Sequence, residues 1–338
     1  MTTIQDMISS AIRNYGLNTS TLKVLEILPE NAHGDLHFKI EVDGVCYSAR
    51  FVGSDRYDHD VFGYLTDDVL VEQMRFCDYL NDHGIPFMLR KTPADGSTFI
   101  HFTWDNVHYR FLLFEWIEGE HITHCTPDIA YKFGVLARRY HDVSGSFDSP
   151  LPRISHLVGY QKFIGMIQSD LDSVALSNED KQLLQAYINQ SEHLIKCSFS
   201  DAPDFIMQSD LNPLNIIWGG HDDVIGIIDF EHIGYTDRIE CLAWLIKWYS
   251  RTHGIGSSEV SSFSAQSLLR GYRAEEFLTS KDIVRLQSLV WLSGCLNWGF
   301  VVGALDILNE RNGRSQSELK EHLKAYQLRG EKLLALLT

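Results

Sequence analysis

"FIMQSDLNPLNIIW", residues 205–218, is the stretch that decides the fold. Phe205, Ile206 and Met207 give way to Gln208-Ser209-Asp210, and the chain is apolar again at Ile216-Ile217-Trp218. A carboxylate and two amides, Asp210, Asn212 and Asn215, are caught between two segments of buried character. There an unsatisfied polar group costs roughly 1–3 kcal/mol. A second β-like run, "VIGIIDF" (224–230), follows a turn at Gly219-Gly220 and carries Asp229 at its end. A hairpin over these residues is expected to return Asp229 to the loop, so that Asp210, Asn215 and Asp229 converge. Two carboxylates and an amide oxygen are a poor set for zinc and suit magnesium, a hard cation that takes oxygen ligands.

Outward from this hairpin the flanks differ in character. Towards the N-terminus, "TLKVLEIL", "HFKIEV" and "VCYSARFV" read as strands, the last two joined by the turn residues Asp43-Gly44. Residues 67–84 have helical apolar spacing, with Asp67 and Asp68 at the front and Gly84 at the end. Strands near 97–103 and 107–115 follow, turning at Asp105-Asn106. From Pro127 onward the period is helical, over 127–143, 156–172, 178–197, 238–250, 257–275, 280–308 and 315–337. The expected fold class is α+β. A β-rich lobe over 1–115 holds one embedded helix, and a mainly helical lobe over 116–338 holds the hairpin.

Bulk properties narrow the function. The 338 residues carry a formal net charge of −16, against the basic footprint that a nucleic-acid groove requires. Six cysteines lie far apart with no CxxC pair, which fits a reducing cytoplasm better than a disulfide framework. "MTTIQDMISSAIRNYGL" reads as an amphipathic helix and lacks the layout of a signal peptide. "SLVWLSGCLNWGFVVGALDIL" (288–308) approaches the length of a membrane span, but Ser293, Asn297 and three glycines interrupt it, so a buried core helix is expected. The pairs Trp244/Trp248 and Trp291/Trp298 each mark one helix face; core packing is the expected role, with an aromatic cage for an amine as the alternative. His121, His124 and Cys125 lack a second ligand cluster and read as a solvated loop, as does the acidic run 54–68. There is no Walker A sequence, G-x-S-x-G elbow or HExxH.

"SDLNPLNIIW…VIGIIDFEHIGYTDRIECLAW" resembles the signature of the aminoglycoside phosphotransferase / choline kinase-like family, which shares the two-lobed protein-kinase-like fold. That resemblance implies ATP- and Mg2+-dependent transfer of the γ-phosphoryl group to a hydroxyl of a small molecule, an aminoglycoside-, choline- or sugar/amino-alcohol-like acceptor. By it, Asp210 is the catalytic base, and Asn215 and Asp229 hold magnesium. Arg50 in "YSARFV" takes the place of the family's phosphate-contacting cation, with Glu72 in "LVEQMRF" as its ion-pair partner. "RFLLFEWIEGE" resembles the hinge whose backbone, around Glu115, Trp116 and Ile117, hydrogen-bonds the base of ATP or another nucleoside triphosphate. The resemblance runs in order over residues 20–250. Three positions depart from the family pattern. Gln208-Ser209 replace His-Gly, Glu240-Cys241-Leu242-Ala243 replace Asp-Leu-Ala, and "PENAHGDLHF" has Gly34 as its only glycine in place of a glycine-rich loop.

Two rivals accompany this expectation. Gln208, Ser209 and the thin glycine loop motivate a non-catalytic nucleotide sensor. A protein-directed kinase is less favoured, because Asp229 is followed almost at once by the helix at 238, with no activation loop ending in Ala-Pro-Glu. The expected partner is a small hydroxyl acceptor, with neither nucleic acid nor membrane.

Overall fold

The computed structural model describes residues 3–29, 34–54, 65–171, 177–201, 204–220, 223–309 and 316–337. Most of the loop "PENAHGDLHF" ahead of Gly34 and most of the acidic run 54–68 fall outside the described residues. The chain forms two compact units. The first comprises Met1–Glu120, Phe147–Leu151 and Ile217–Glu231; the second comprises His121–Ser146, Pro152–Ile216 and His232–Thr338.

The first unit is built on one antiparallel sheet of β1 (Lys23–Ile27), β2 (Leu36–Val42), β3 (Val45–Gly53), β4 (Ile100–Trp104) and β5 (Val107–Glu115), in the order β1-β2-β3-β5-β4. Both expected turns form. Asp43 and Gly44 at φ 51° and 80°, and Asp105 and Asn106 at 46° and 65°, supply the left-handed pairs that two-residue hairpins need. Alternation along β2 and β3 buries Phe38, Ile40, Val42, Tyr47, Ala49 and Phe51 on one face. Onto it packs the apolar stripe Met7, Ile8, Ala11 and Ile12 of the amphipathic helix α1 (Ile4–Ile12). The period of two then sends Ser48 and Arg50 to the opposite face. α2 (Asp67–Asp82) starts where expected, with the Thr66 hydroxyl accepting from Val69 N–H.

The hairpin of β7 (Ile216–Trp218) and β8 (Val224–Ile227) forms as read, yet most of it belongs to the first unit rather than to the helical one. Its attachments explain the difference. Ile227 N–H donates to Pro86 O, Met88 N–H donates to Ile227 O, and Glu120 and Trp218 exchange backbone bonds. The first segment of the first unit runs to Glu120.

The second unit holds α3 (Pro127–Ser144), α4 (His156–Leu171), α5 (Asn178–Ser198), α6 (Arg238–Tyr249), α7 (Ser262–Tyr272), α8 (Ser280–Cys295), α9 (Trp298–Asn309) and α10 (Gln316–Leu334). β6 (Asp204–Gln208) pairs antiparallel with β9 (Ile233–Asp237). β9 has no apolar alternation to announce it; its ladder with β6 makes the strand. The helix expected over 280–308 is two, bent by 45° at the break after Cys295, where Asn297 Oδ1 accepts from Phe300 N–H. Among the described residues, no single helix is long and apolar enough to cross a membrane.

α3 and α7 touch backbone to backbone. A Cβ at Gly134 would strike Leu268 O, and one at Gly271 would strike Tyr131 O, neither of which can rotate away. Gly271→Ala is expected to cost about 1–3 kcal/mol despite alanine's better helix propensity, read as a lower urea midpoint. An unchanged midpoint would mean the helices separate freely.

Candidate active site

In the second unit, β6 delivers the loop that the opening stretch encodes. Gln208 is fully buried; its N–H donates to the Tyr140 hydroxyl at 2.7 Å and its Oε1 accepts from Asp210 N–H at 3.1 Å. Ser209 N–H donates to His232 O at 2.9 Å. The glutamine standing where the family carries histidine thus anchors the backbone of Asp210. Asn212 caps a short 3-10 turn, its Oδ1 accepting from Leu214 N–H, and its Nδ2 donates to Asp210 Oδ2 at 2.9 Å. Asn215 Nδ2 donates to Asp210 O at 2.8 Å. The polar groups that opened the sequence question satisfy one another, and the Asp210 carboxylate is held by neighbours on both sides.

α6 adds a residue that the sequence reading did not single out. Lys247 is only 3% exposed, its Nζ 3.8 Å from the ring centre of Trp244 and 4.4 Å from that of Trp248. The two indoles are half-buried and flank this ammonium, a cation–π arrangement rather than plain core packing. His156 stacks on Trp244 with centres 4.0 Å apart. Among the described residues, Lys247 Nζ makes no hydrogen bond or ion pair. Burial pushes its pKa down to about 7; Arg251 and Arg329 press the same way, and Asp210 opposes them. A lowered lysine pKa subtracts stability most fully below the folded value, and the penalty fades as pH rises towards the ordinary 10.5. Lys247→Met should therefore raise the melting temperature more at mildly acidic than at alkaline pH, in thermal scans across that window. Glu240, the variant carboxylate at the head of α6, is raised to about 7 by burial and accepts from His156 N–H and Ser155 Oγ. Asp237 caps α6 and pairs with buried Arg285.

In the first unit, Arg50 emerges from β3 among three carboxylates. Its Nη2 lies 2.6 Å from Glu231 Oε1 and 3.9 Å from Asp35 Oδ2, and its Nη1 lies 3.8 Å from Asp229 Oδ1. Burial works against the guanidinium charge, but Glu231, Asp229 and Asp35 outweigh it and hold its pKa above the ordinary value. Arg50 Cζ lies over the Phe230 ring, 4.9 Å from its centre. Asp229 has φ 74°, rare for a residue with a side chain, and its Oδ1 accepts from Phe230 N–H at 2.9 Å. Strain of this kind persists only where surrounding contacts impose it, and it concentrates at functional positions.

Glu72 is not the partner of Arg50. It pairs with Arg75 one turn on and accepts from Ser149 Oγ. The phase of α2 explains this: Leu70, Gln73, Met74 and Cys77 form the buried face, so residue 73 points inward and 72 does not. Gln73 Nε2 approaches Glu231 O at 3.5 Å. Glu231 and Asp35 were missed because neither stands in a patterned segment; only their proximity to Arg50 marks them. At the expected hinge, Glu115 N–H donates to Leu89 O and Trp116 N–H to Cys46 O. Both amides are committed, whereas the backbone of Ile117 makes no hydrogen bond among the described residues. The structure thus groups Asp210 with Asn215 in the second unit, and Arg50 with Asp229 in the first.

No cluster of three or more His, Cys, Asp or Glu forms a preassembled cation site among the described residues. The donor chemistry nevertheless fits magnesium. Asn215 spends its amide nitrogen on Asp210 O, leaving Oδ1 as an acceptor. Three carboxylates around one guanidinium leave an excess of negative charge beside Asp229.

The model of the phosphotransferase enzyme family (APH) matches residues 63–278, more than half of the chain. No curated protein matches. Similar solved structures include an amicoumacin kinase in complex with AMP-PNP, Ca2+ and Ami, at TM-score 0.67 and 14% identity, covering 97% of this chain and 93% of that one. A microcompartment-associated aminopropanol kinase aligns at TM-score 0.64 and 16% identity, over 96% of this chain and 94% of that one. A spectinomycin phosphotransferase in complex with ADP and spectinomycin aligns at 0.60 and 14%, over 98% of each chain. At these identities the likeness establishes the protein-kinase-like fold.

Proposed function

This chain belongs to the phosphotransferase enzyme family, a small-molecule kinase by that membership, and we propose that it transfers the γ-phosphoryl group of ATP to a hydroxyl of a small acceptor with Mg2+ as cofactor. The observation that carries the reading is the Asp210 loop: a carboxylate fixed by Gln208, Asn212 and Asn215 at the end of a buried strand, inside the matched region. Phosphoryl transfer asks little covalent work of a protein; positioning and charge neutralisation dominate. Asp210 aligns the acceptor hydroxyl and takes its proton. Its Oδ2 receives a hydrogen bond from Asn212, so the carboxylate cannot turn freely. Asn215 and Asp229 would each offer an oxygen to magnesium, and the ion would supply charge neutralisation for the nucleotide phosphates. Arg50 contributes a permanent cation towards the nucleotide phosphates, with Glu231 in the pairing role first given to Glu72. The base is received at the backbone around Ile117, since the Glu115 and Trp116 amides are already committed. Structures similar in fold hold AMP-PNP or ADP, which supports a nucleotide as donor.

Thermal shift with ATP and Mg2+, against ATP with a chelator, followed by ADP release across a panel of alcohols, checks the reading. Metal-dependent stabilisation and acceptor-dependent ADP release are expected. Nucleotide binding with no turnover on any alcohol would point to a sensor instead.

A further inference from the structure

We propose that the acceptor carries an anionic group, a carboxylate or a phosphate, that pairs with Lys247 between Trp244 and Trp248 on α6; this rests on Asp210 as the catalytic base. The structures similar in fold include an aminopropanol kinase, and the overall charge of −16 would suit a cationic acceptor. The local arrangement runs the other way. Trp244 and Trp248 have the faces that would cage a cationic ligand, but this chain's own ammonium lies against both. A ligand cation arriving there would meet Lys247 and, over the face of Trp248, Arg251 at 5.1 Å. Arg329 adds a third positive charge that Lys247 senses, and among the described residues Asp210 is an acid whose field supports it. Arg251 is tied down, Nε donating to Lys247 O at 3.1 Å and Nη1 to Ser257 O at 2.8 Å. Lys247 Nζ, by contrast, makes no hydrogen bond or ion pair among the described residues. A buried ammonium held only by aromatic faces is costly, and it becomes favourable when an anion completes the pair. A carboxylate or phosphate on the acceptor does so and keeps the rest of the molecule within the electrostatic reach of Asp210.

The test uses the full chain and three forms: wild type, Lys247→Met, which keeps the stem and removes the charge, and Lys247→Arg, which keeps the charge. At constant ionic strength, malonate, γ-hydroxybutyrate and glycerol phosphate are compared with choline as thermal-shift probes. The anions should raise the melting temperature of wild type and Lys247→Arg by several degrees and leave Lys247→Met unmoved, with choline inert throughout. The carboxylates and glycerol phosphate then tell which anion the pocket prefers. Equal shifts in Lys247→Met, no shift with any anion, or stabilisation by choline would overturn the proposal. Turnover of γ-hydroxybutyrate, hydroxybutyl phosphate, aminobutanol and butanediol forms the second arm. A tenfold or greater preference for the anionic members, lost in Lys247→Met, is expected; a preference for aminobutanol would also overturn it. If none of the four is phosphorylated while anions still stabilise only through Lys247, the charge inference stands and the phosphotransfer reading is what fails.

Discussion

Asp210→Ala is expected to lower turnover by about 10²–10⁴-fold, the usual worth of a positioned acid–base group, while nucleotide affinity stays within about twofold. The reasoning lies in what Asp210 does for the fold, which is little. Its neighbours hold its backbone: Gln208 Oε1 takes its N–H and Asn215 Nδ2 takes its C=O, and both bonds survive truncation of the side chain. Only the Asn212 bond to Oδ2 is lost, at a net cost of about 1 kcal/mol. Stability should therefore fall slightly while turnover collapses, and the two are separable by comparing a urea midpoint with ADP release. A variant that unfolds at the same denaturant concentration but turns over at the wild-type rate would remove Asp210 from the chemistry.

Arg50→Ala should act in the opposite proportion, on stability first. Its guanidinium is the shared counter-ion of Glu231, Asp229 and Asp35, and removing it leaves three carboxylates facing one another. Breaking a buried charge network from one side costs about 3–5 kcal/mol, and part of that should return in acid, where protonated carboxyls no longer repel. Nucleotide binding should weaken roughly tenfold or more, as expected for a lost charge-assisted contact of about 1.5–3 kcal/mol. Arg50→Lys restores the charge but not the two-armed fork, so it should recover stability only in part. Chemical denaturation at neutral and acidic pH, with calorimetric titration of ATP, reads all three. Full stability in Arg50→Ala would show that the carboxylates find other partners.

What the sequence disclosed followed periodicity. The two Asp/Asn/Gly turns, α2 with its Thr66 cap, the amphipathic α1 and the hairpin from Ile216 all carry local signals that tertiary contacts left standing. β9 was not legible because Gly234 sits where Pro152 O comes within 2.7 Å of a would-be Cβ, a packing requirement written without strand residues. The split between α8 and α9 depended on Asn297 turning its side chain back to cap a helix start. At the site, order along the chain pointed to Asp210, Asn215, Asp229 and Arg50. Side-chain partnerships escaped it. Helical phase put Gln73 inward and Glu72 outward by one position, and Glu231 became the partner of Arg50. Lys247 carries no sequence signal of its own, and only the positions of Trp244 and Trp248 around it mark it out.

The most direct test follows the phosphoryl group itself. Wild type and Asp210→Asn are incubated with Mg2+, ATP labelled at the γ-phosphorus and a panel of small alcohols, and the label is located by mass spectrometry. It should appear on the hydroxyl oxygen of a small molecule with wild type and stay in the nucleotide with Asp210→Asn. Label that remains in ATP with both proteins, or that ends on a polypeptide side chain, would contradict the account.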